Sequence, residues 1–156
     1  MERSRYTILV VDDHPANRYA IARNLRASGF RTLEASLGAE GLALAGMSAA
    51  VVLDVNLPDI HGFEVCRRLR ESSGTASLPI VHVSASSLSD ADQQRARSVG
   101  ADAYMLDPVD PLVLAFALDE LLRRADGSGP GDRTGAGAQS VRLQMTNGER
   151  SGKEDQ

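Results

Sequence analysis

Apolar residues in this chain gather into five short runs, at 7–12, 31–35, 50–54, 79–84 and 103–106. The first and third, TILVVD and AVVLD, are continuously apolar rather than alternating. Strands of that kind are buried on both faces, as in a parallel sheet covered by helices. The stretches between the runs carry helical spacing, which predicts helices at about 15–27, 38–45, 62–71, 90–99 and 111–124. Gly29 and Gly100 stand just past the first and fourth of these, where helices readily stop. In the third helix Phe63, Val65, Cys66 and Leu69 make the apolar face, and Arg67, Arg68 and Arg70 are expected in solvent. Five β-then-α units within residues 6–125 predict an α/β fold. Such a chain is expected to form a doubly wound five-stranded parallel sheet, (βα)5.

The pattern stops at Asp126. Residues 126–156 hold half of the chain's 14 glycines, mixed charges and few apolar side chains. Such a segment buries too little surface to offset its ordering entropy, so it is read as a flexible Gly-rich tail after a 6–125 domain. The short run VRLQM, 141–145, is read as part of that tail.

Composition narrows the function. A net charge of −4 with no strongly basic region argues against nucleic-acid binding by charge. The chain shows neither an apolar run of membrane-spanning length nor a signal peptide, so a cytoplasmic protein without membrane contact is expected. The single Cys66 cannot form an internal disulfide and reads as a small, half-buried apolar residue. Of 17 basic residues only Lys153 is a lysine.

Candidate chemistry collects at the carboxyl ends of the strands, where open α/β sheets bind ligands. Asp12, Asp13, Asp54, Ser84 and Asp107 all fall there. Clustered carboxylates repel unless a cation sits among them. Asp12, Asp13 and Asp54 offer hard oxygens suited to Mg²⁺, and the Asn56 backbone carbonyl can add another. A carboxylate oxygen of Asp54 can then attack phosphorus, as carboxylates do when they form aspartyl-phosphates. Ser84 offers a hydroxyl to a phosphoryl oxygen. Taken alone, it reads better as a strand-end serine bonded to nearby backbone. His82 is expected to be buried and hydrogen-bonded, and His14 and His61 to be solvated loop residues near the site.

Four motifs, ILVVDD, LDVNLPDIHG, VSAS and GADAYMLDP, resemble in order and spacing the receiver domain of two-component response regulators. The likeness covers roughly residues 6–125 and implies the flavodoxin-like strand order 2-1-3-4-5, and the opening VDDHPANRYAIARNL resembles receivers associated with hybrid histidine kinases. The resemblance implies that Asp54 accepts a phosphoryl group from a histidine kinase, a phosphotransfer protein or a small phosphodonor. It implies that Asp12 and Asp13 bind Mg²⁺ with Asp54 and the Asn56 carbonyl. Ser84 becomes the switch hydroxyl, and Tyr104 the aromatic that follows it inward. Asn56 and Ser86 occupy positions facing the phosphoryl group, and Pro58 and Gly62 shape the loop after Asp54.

One position departs from the family. A lysine before a proline is expected at the end of the fifth strand, and Asp107 stands there before Pro108. Arg18 is the nearest candidate substitute cation. If Asp107 points inward, the site holds four carboxylates and no cation; if outward, Asp107 is a solvated loop residue. Helix 5 does not need it as a cap, because Asp110 and Pro111 already form a good N-terminus. Three functions follow: a phosphoryl-accepting receiver signalling through protein contacts, a degenerate receiver serving as an interaction module, and a haloacid-dehalogenase-type phosphohydrolase. The last expects a second aspartate where Asn56 stands. The first two are not enzymes beyond self-phosphorylation from a donor.

Overall fold

In the computed structural model, which describes residues 1–85 and 89–127, the two unbroken apolar runs lie side by side in the sheet. They are β1 (Thr7–Val11) and β3 (Ala50–Asp54). With β2 (Arg31–Ala35), β4 (Ile80–Ser84) and β5 (Ala103–Leu106) they form one parallel sheet in the order β2-β1-β3-β4-β5. The expected fold class and strand order are therefore observed. The 128–156 part of the tail, and Ser86, lie outside the described residues.

Alternation along each strand sends successive side chains to opposite faces. Ile8 and Val10 enter a core with Leu25 of α1 (Pro15–Ala27) and Leu118 and Leu122 of α5 (Pro111–Gly127). Leu9, Val11 and Leu53 enter a second core beneath α2 (Gly38–Leu44), α3 (Gly62–Glu71) and α4 (Asp90–Ser98), with Phe63 and Leu69 among its members. Both faces of β1 and β3 are dry, as their composition requires.

The ends differ from expectation by small amounts. β1 stops at Val11, so Asp12 lies just beyond the strand, although its N–H still donates to the Ala35 carbonyl. β4 starts at Ile80, since Pro79 has no N–H for the ladder. α2 ends at Leu44 and tightens into a 3₁₀ turn, Ala45–Met47, and α4 ends at Ser98. α5 runs on to Gly127, past the expected boundary, and the Tyr6 hydroxyl donates to the Asp126 carboxylate there.

Three side chains behave differently from their sequence reading. Arg70 is not solvated. Its guanidinium donates to the carbonyls of Leu78 and Gly100 and to Asp102 Oδ2, tying α3 to the entries of β4 and β5. Asp102 is itself buried and also accepts from the Ile80 N–H. Cys66 is wholly rather than half buried, with its thiol directed at the Val99 carbonyl. His61 is no free loop residue, because its Nδ1 accepts the Phe63 N–H and caps α3.

Candidate functional site

The carboxyl edge of the sheet opens into a cavity of about 520 Å³. Asp12 and His14 enter it after β1, Asn17 from α1, Asp54 and Asn56 from the end of β3, and Asp107 after β5. Val83 and Ala85 give it an apolar wall beside Asp54. No lysine or arginine is among the described residues that line it. Arg18 does not reach in. Its guanidinium is held by Glu34 and by the Asp12 backbone carbonyl, on the β2 side.

The loop that carries Asp54 is built by backbone contact. The Gly62 N–H donates to the Val55 carbonyl at 2.7 Å. A Cβ on Gly62 would lie 2.4 Å from the Asp54 carbonyl oxygen and 2.7 Å from Val55 Cα. Gly62 therefore does more than shape the loop: only glycine lets α3 begin this close behind Asp54. Asp59, in the same loop, accepts the N–H groups of Gly38 and Ala39 at 2.8 and 3.0 Å, so the loop also caps α2. Those bonds hold the Asp59 carboxyl below its ordinary pKa.

Ligand atoms of Asp12, Asp13, His14 and Asp54 all lie within 4.8 Å of one another. Asp12 is buried. Its Oδ1 accepts the His14 backbone N–H at 2.9 Å and its Oδ2 accepts Asn17 Nδ2 at 2.7 Å. Asp13 Oδ1 is buried without a hydrogen-bond partner; His14 Nδ1, at 3.4 Å, is near but does not hydrogen-bond to it. Asp54 is half-buried, with one bond to Oδ1 from the Asn56 N–H at 3.3 Å. Burial first, and then the charges of Asp12 and Asp13, push the Asp54 carboxyl up to about 6, against the Asn56 bond.

An acidic cavity with one orphaned carboxylate oxygen suits a hard divalent cation. The donor set fits Mg²⁺, so the expected metal residues Asp12, Asp13 and Asp54 are brought together, with Asn56 at the rim.

Ser84 is buried at the end of β4, one strand over from Asp54. Tyr104 is buried on β5, in register with His82. Asp107 lines the cavity rather than turning outward, and its N–H donates to the Ser84 carbonyl at 2.8 Å. The Asp107–Pro108 peptide is cis. Burial, and then the charge of Asp12, push the Asp107 carboxyl up from its ordinary value. The nearby Asn17 amide opposes the shift. Sequence reasoning missed Asn17. The spacing of Asp12 and Asn17 on a loop and the first turn of α1 was the available signal.

Residues 8–119 match the family model described as the response regulator receiver domain. The chain belongs to that family. It is 30% identical over 117 residues to protein PilH of Pseudomonas aeruginosa, covering 74% of this receiver and 96% of PilH. It is 38% identical over 122 residues to the transcriptional regulatory protein AfsQ1 of Streptomyces coelicolor. There the match takes in 77% of this receiver but 52% of AfsQ1, so the chain spans about half the length of that relative. Among solved structures, a CheY-like receiver domain protein from Methanospirillum hungatei superposes with a TM-score of 0.72 at 26% identity. That likeness covers 80% of this receiver and 98% of the other chain. The match is to a signalling receiver domain. Its Asp12, Asp13 and Asp54 pocket is that of a phosphoryl-accepting receiver of two-component signal transduction. Among the described residues no helix is long and apolar enough to cross a membrane.

Proposed function

We propose that Asp54 is the phosphoacceptor, served by Mg²⁺ on Asp12, Asp13, Asp54 and the Asn56 carbonyl. The observation that carries this is the convergence of three carboxylates beside a buried, unpartnered Asp13 oxygen at the mouth of an open cavity. An Asp54 oxygen attacks phosphorus. A P–O bond forms, the P–N bond of a phosphohistidine breaks, and the leaving imidazole keeps the electron pair. Mg²⁺, when bound, offsets the charge on the transferred phosphoryl group. The Asn56 N–H orients Asp54, and the Val83–Ala85 wall keeps bulk water from one side of it.

In this reading Ser84 supplies a hydroxyl to a phosphoryl oxygen, and Tyr104 follows it as the switch aromatic. Asp107 stands where the family's lysine would be. The loss of such a charge costs about 3 kcal/mol of transition-state stabilisation where one donor is removed. The donor is a histidine kinase or phosphotransfer protein in the cytoplasm, and the motif VDDHPANRYAIARNL favours receivers associated with hybrid kinases. The output is a protein contact and not nucleic-acid binding, in keeping with the net charge of −4. The receiver domain is 6–125, followed by the Gly-rich segment 126–156.

The second reading, a receiver that acts as an interaction module without phosphorylation, is favoured by Asp107 alone. Incubation with acetyl phosphate and Mg²⁺, followed by intact mass, separates the two. A phosphoryl adduct that vanishes in Asp54→Asn supports the acceptor. No adduct supports the module, and an adduct surviving Asp54→Asn moves the acceptor elsewhere.

A further inference from the structure

We propose that His14 is a metal ligand of this site, and that it shifts the site's preference from Mg²⁺ toward four-coordinate transition ions such as Zn²⁺. The inference rests on reading the acidic cavity as a divalent-cation site.

His14 is the N-cap residue of α1, yet its side chain makes no capping bond. The imidazole turns back over the carboxylates instead. Its Nδ1 lies 3.6 Å from Asp12 Oδ1 and 3.4 Å from Asp13 Oδ1. Asp13 Oδ1 is the buried oxygen that lacks a hydrogen-bond partner. The ring itself is three-quarters exposed, so it sits at the entrance and is free to adjust.

The spacing discriminates between ions. Four ligands at about 2.1 Å around a tetrahedral ion stand about 3.4 Å apart. Octahedral Mg²⁺ at a similar distance places neighbouring ligands about 2.9 Å apart and prefers oxygen. The separations from His14 Nδ1 to Asp12 and Asp13 lie near the tetrahedral edge, within a ligand set that spans no more than 4.8 Å. The chemistry agrees with the geometry, because imidazole suits zinc and other borderline metals, whereas carboxylates alone suit magnesium and manganese. Asp12, Asp13 and Asp54 with His14 make three oxygens and one nitrogen.

Isothermal titration of the full chain with Mg²⁺ and with Zn²⁺ gives the ratio of the two affinities. Some zinc preference is expected of any such site, so the test is the change in ratio on substitution. In His14→Asn, which places a favoured N-capping residue at the start of α1, the Zn²⁺-to-Mg²⁺ ratio should fall at least tenfold. A second readout is the ring-nitrogen NMR signal of His14, assigned against His14→Asn, which should shift on Zn²⁺ addition in the wild type. In Asp13→Asn that shift should be lost. An unchanged ratio with an unmoved His14 ring would overturn the proposal and leave the Mg²⁺ site standing. A ring shift that survives Asp13→Asn would place the zinc elsewhere and overturn it as well. Binding of neither ion would overturn both the ligand assignment and the cation-site reading beneath it.

Discussion

Asn17 Nδ2 donates to Asp12 Oδ2 at 2.7 Å, and Asn17 lines the same cavity as Asp107. One neutral amide therefore stands among carboxylates from the ends of β1 and β5, where no cation lines the cavity among the described residues. Asn17→Leu keeps the volume and removes the donor. The buried Asp12 oxygen then loses a partner, which costs about 1–3 kcal/mol. Urea unfolding in chelator should show that loss, and millimolar Mg²⁺ should restore part of it, because an ion that binds only the native state stabilises it. Equal midpoints for Asn17→Leu and wild type in chelator would mean the amide bridges nothing of consequence.

His82 gives the fold a pH dependence of its own. The ring is wholly buried, with Nδ1 3.3 Å from the Leu53 carbonyl and Nε2 without a partner. Burial lowers its pKa to about 4. The unfolded chain binds the proton near 6.5 and the folded one only near 4. The stability this group contributes is thus complete above pH 6.5 and is lost as the pH falls toward 4. The full effect is on the order of 3 kcal/mol. His82→Leu should flatten the acid limb of the stability curve over that interval, measured by chemical unfolding at several pH values. Parallel curves for the two proteins would show that His82 does not titrate with folding.

Arg70 and Asp102 form a pair 3.0 Å apart, with side chains 16% and 5% exposed. Removing one partner of a buried pair leaves an uncompensated charge and typically costs about 3–5 kcal/mol. Arg70→Met should lose stability on that scale, and Arg70→Met with Asp102→Asn should lose less than the sum of the two single changes. Additive losses would show that Arg70 acts through its carbonyl contacts alone.

Arg70 also marks where sequence reading stopped. The strands, the helices and their order followed from periodicity, because burial on one or both faces repeats locally. Asp12, Asp13 and Asp54 could be grouped because strand ends in a parallel sheet share one edge. Arg70 sits beside Arg67 and Arg68, which do pair with Glu64 at the surface, so local pattern put all three in solvent. Its partners at Leu78, Gly100 and Asp102 are distant in the chain. The same holds for Asp59 at the start of α2 and for the clearance behind Gly62. Whether Asp107 faced inward was equally out of reach, since the cavity it lines is shared with Asn17, on a helix at the other end of the chain.

Asp107→Lys tests the departure that separates this receiver from its proposed family pattern. Asp107 lines the cavity near Asp12, and both burial and that charge oppose its ionisation. A lysine here replaces one carboxylate with an ammonium directed at the remaining ones. At neutral pH the metal-free fold should gain stability, because like-charge repulsion becomes attraction. Mg²⁺ affinity should fall, since the ammonium competes for the same oxygens. Phosphorylation of Asp54 by acetyl phosphate should nevertheless quicken by tenfold or more at saturating Mg²⁺. That is a fraction of the roughly 3 kcal/mol a preorganised donor supplies to developing charge. Tyr104, the proposed switch aromatic beside it on β5, should show a larger NMR change on phosphorylation than in the wild type. Rates and Tyr104 shifts that match the wild type, in a variant whose metal-free stability has risen, would mean that Asp107 tunes the empty site and takes no part in the transfer.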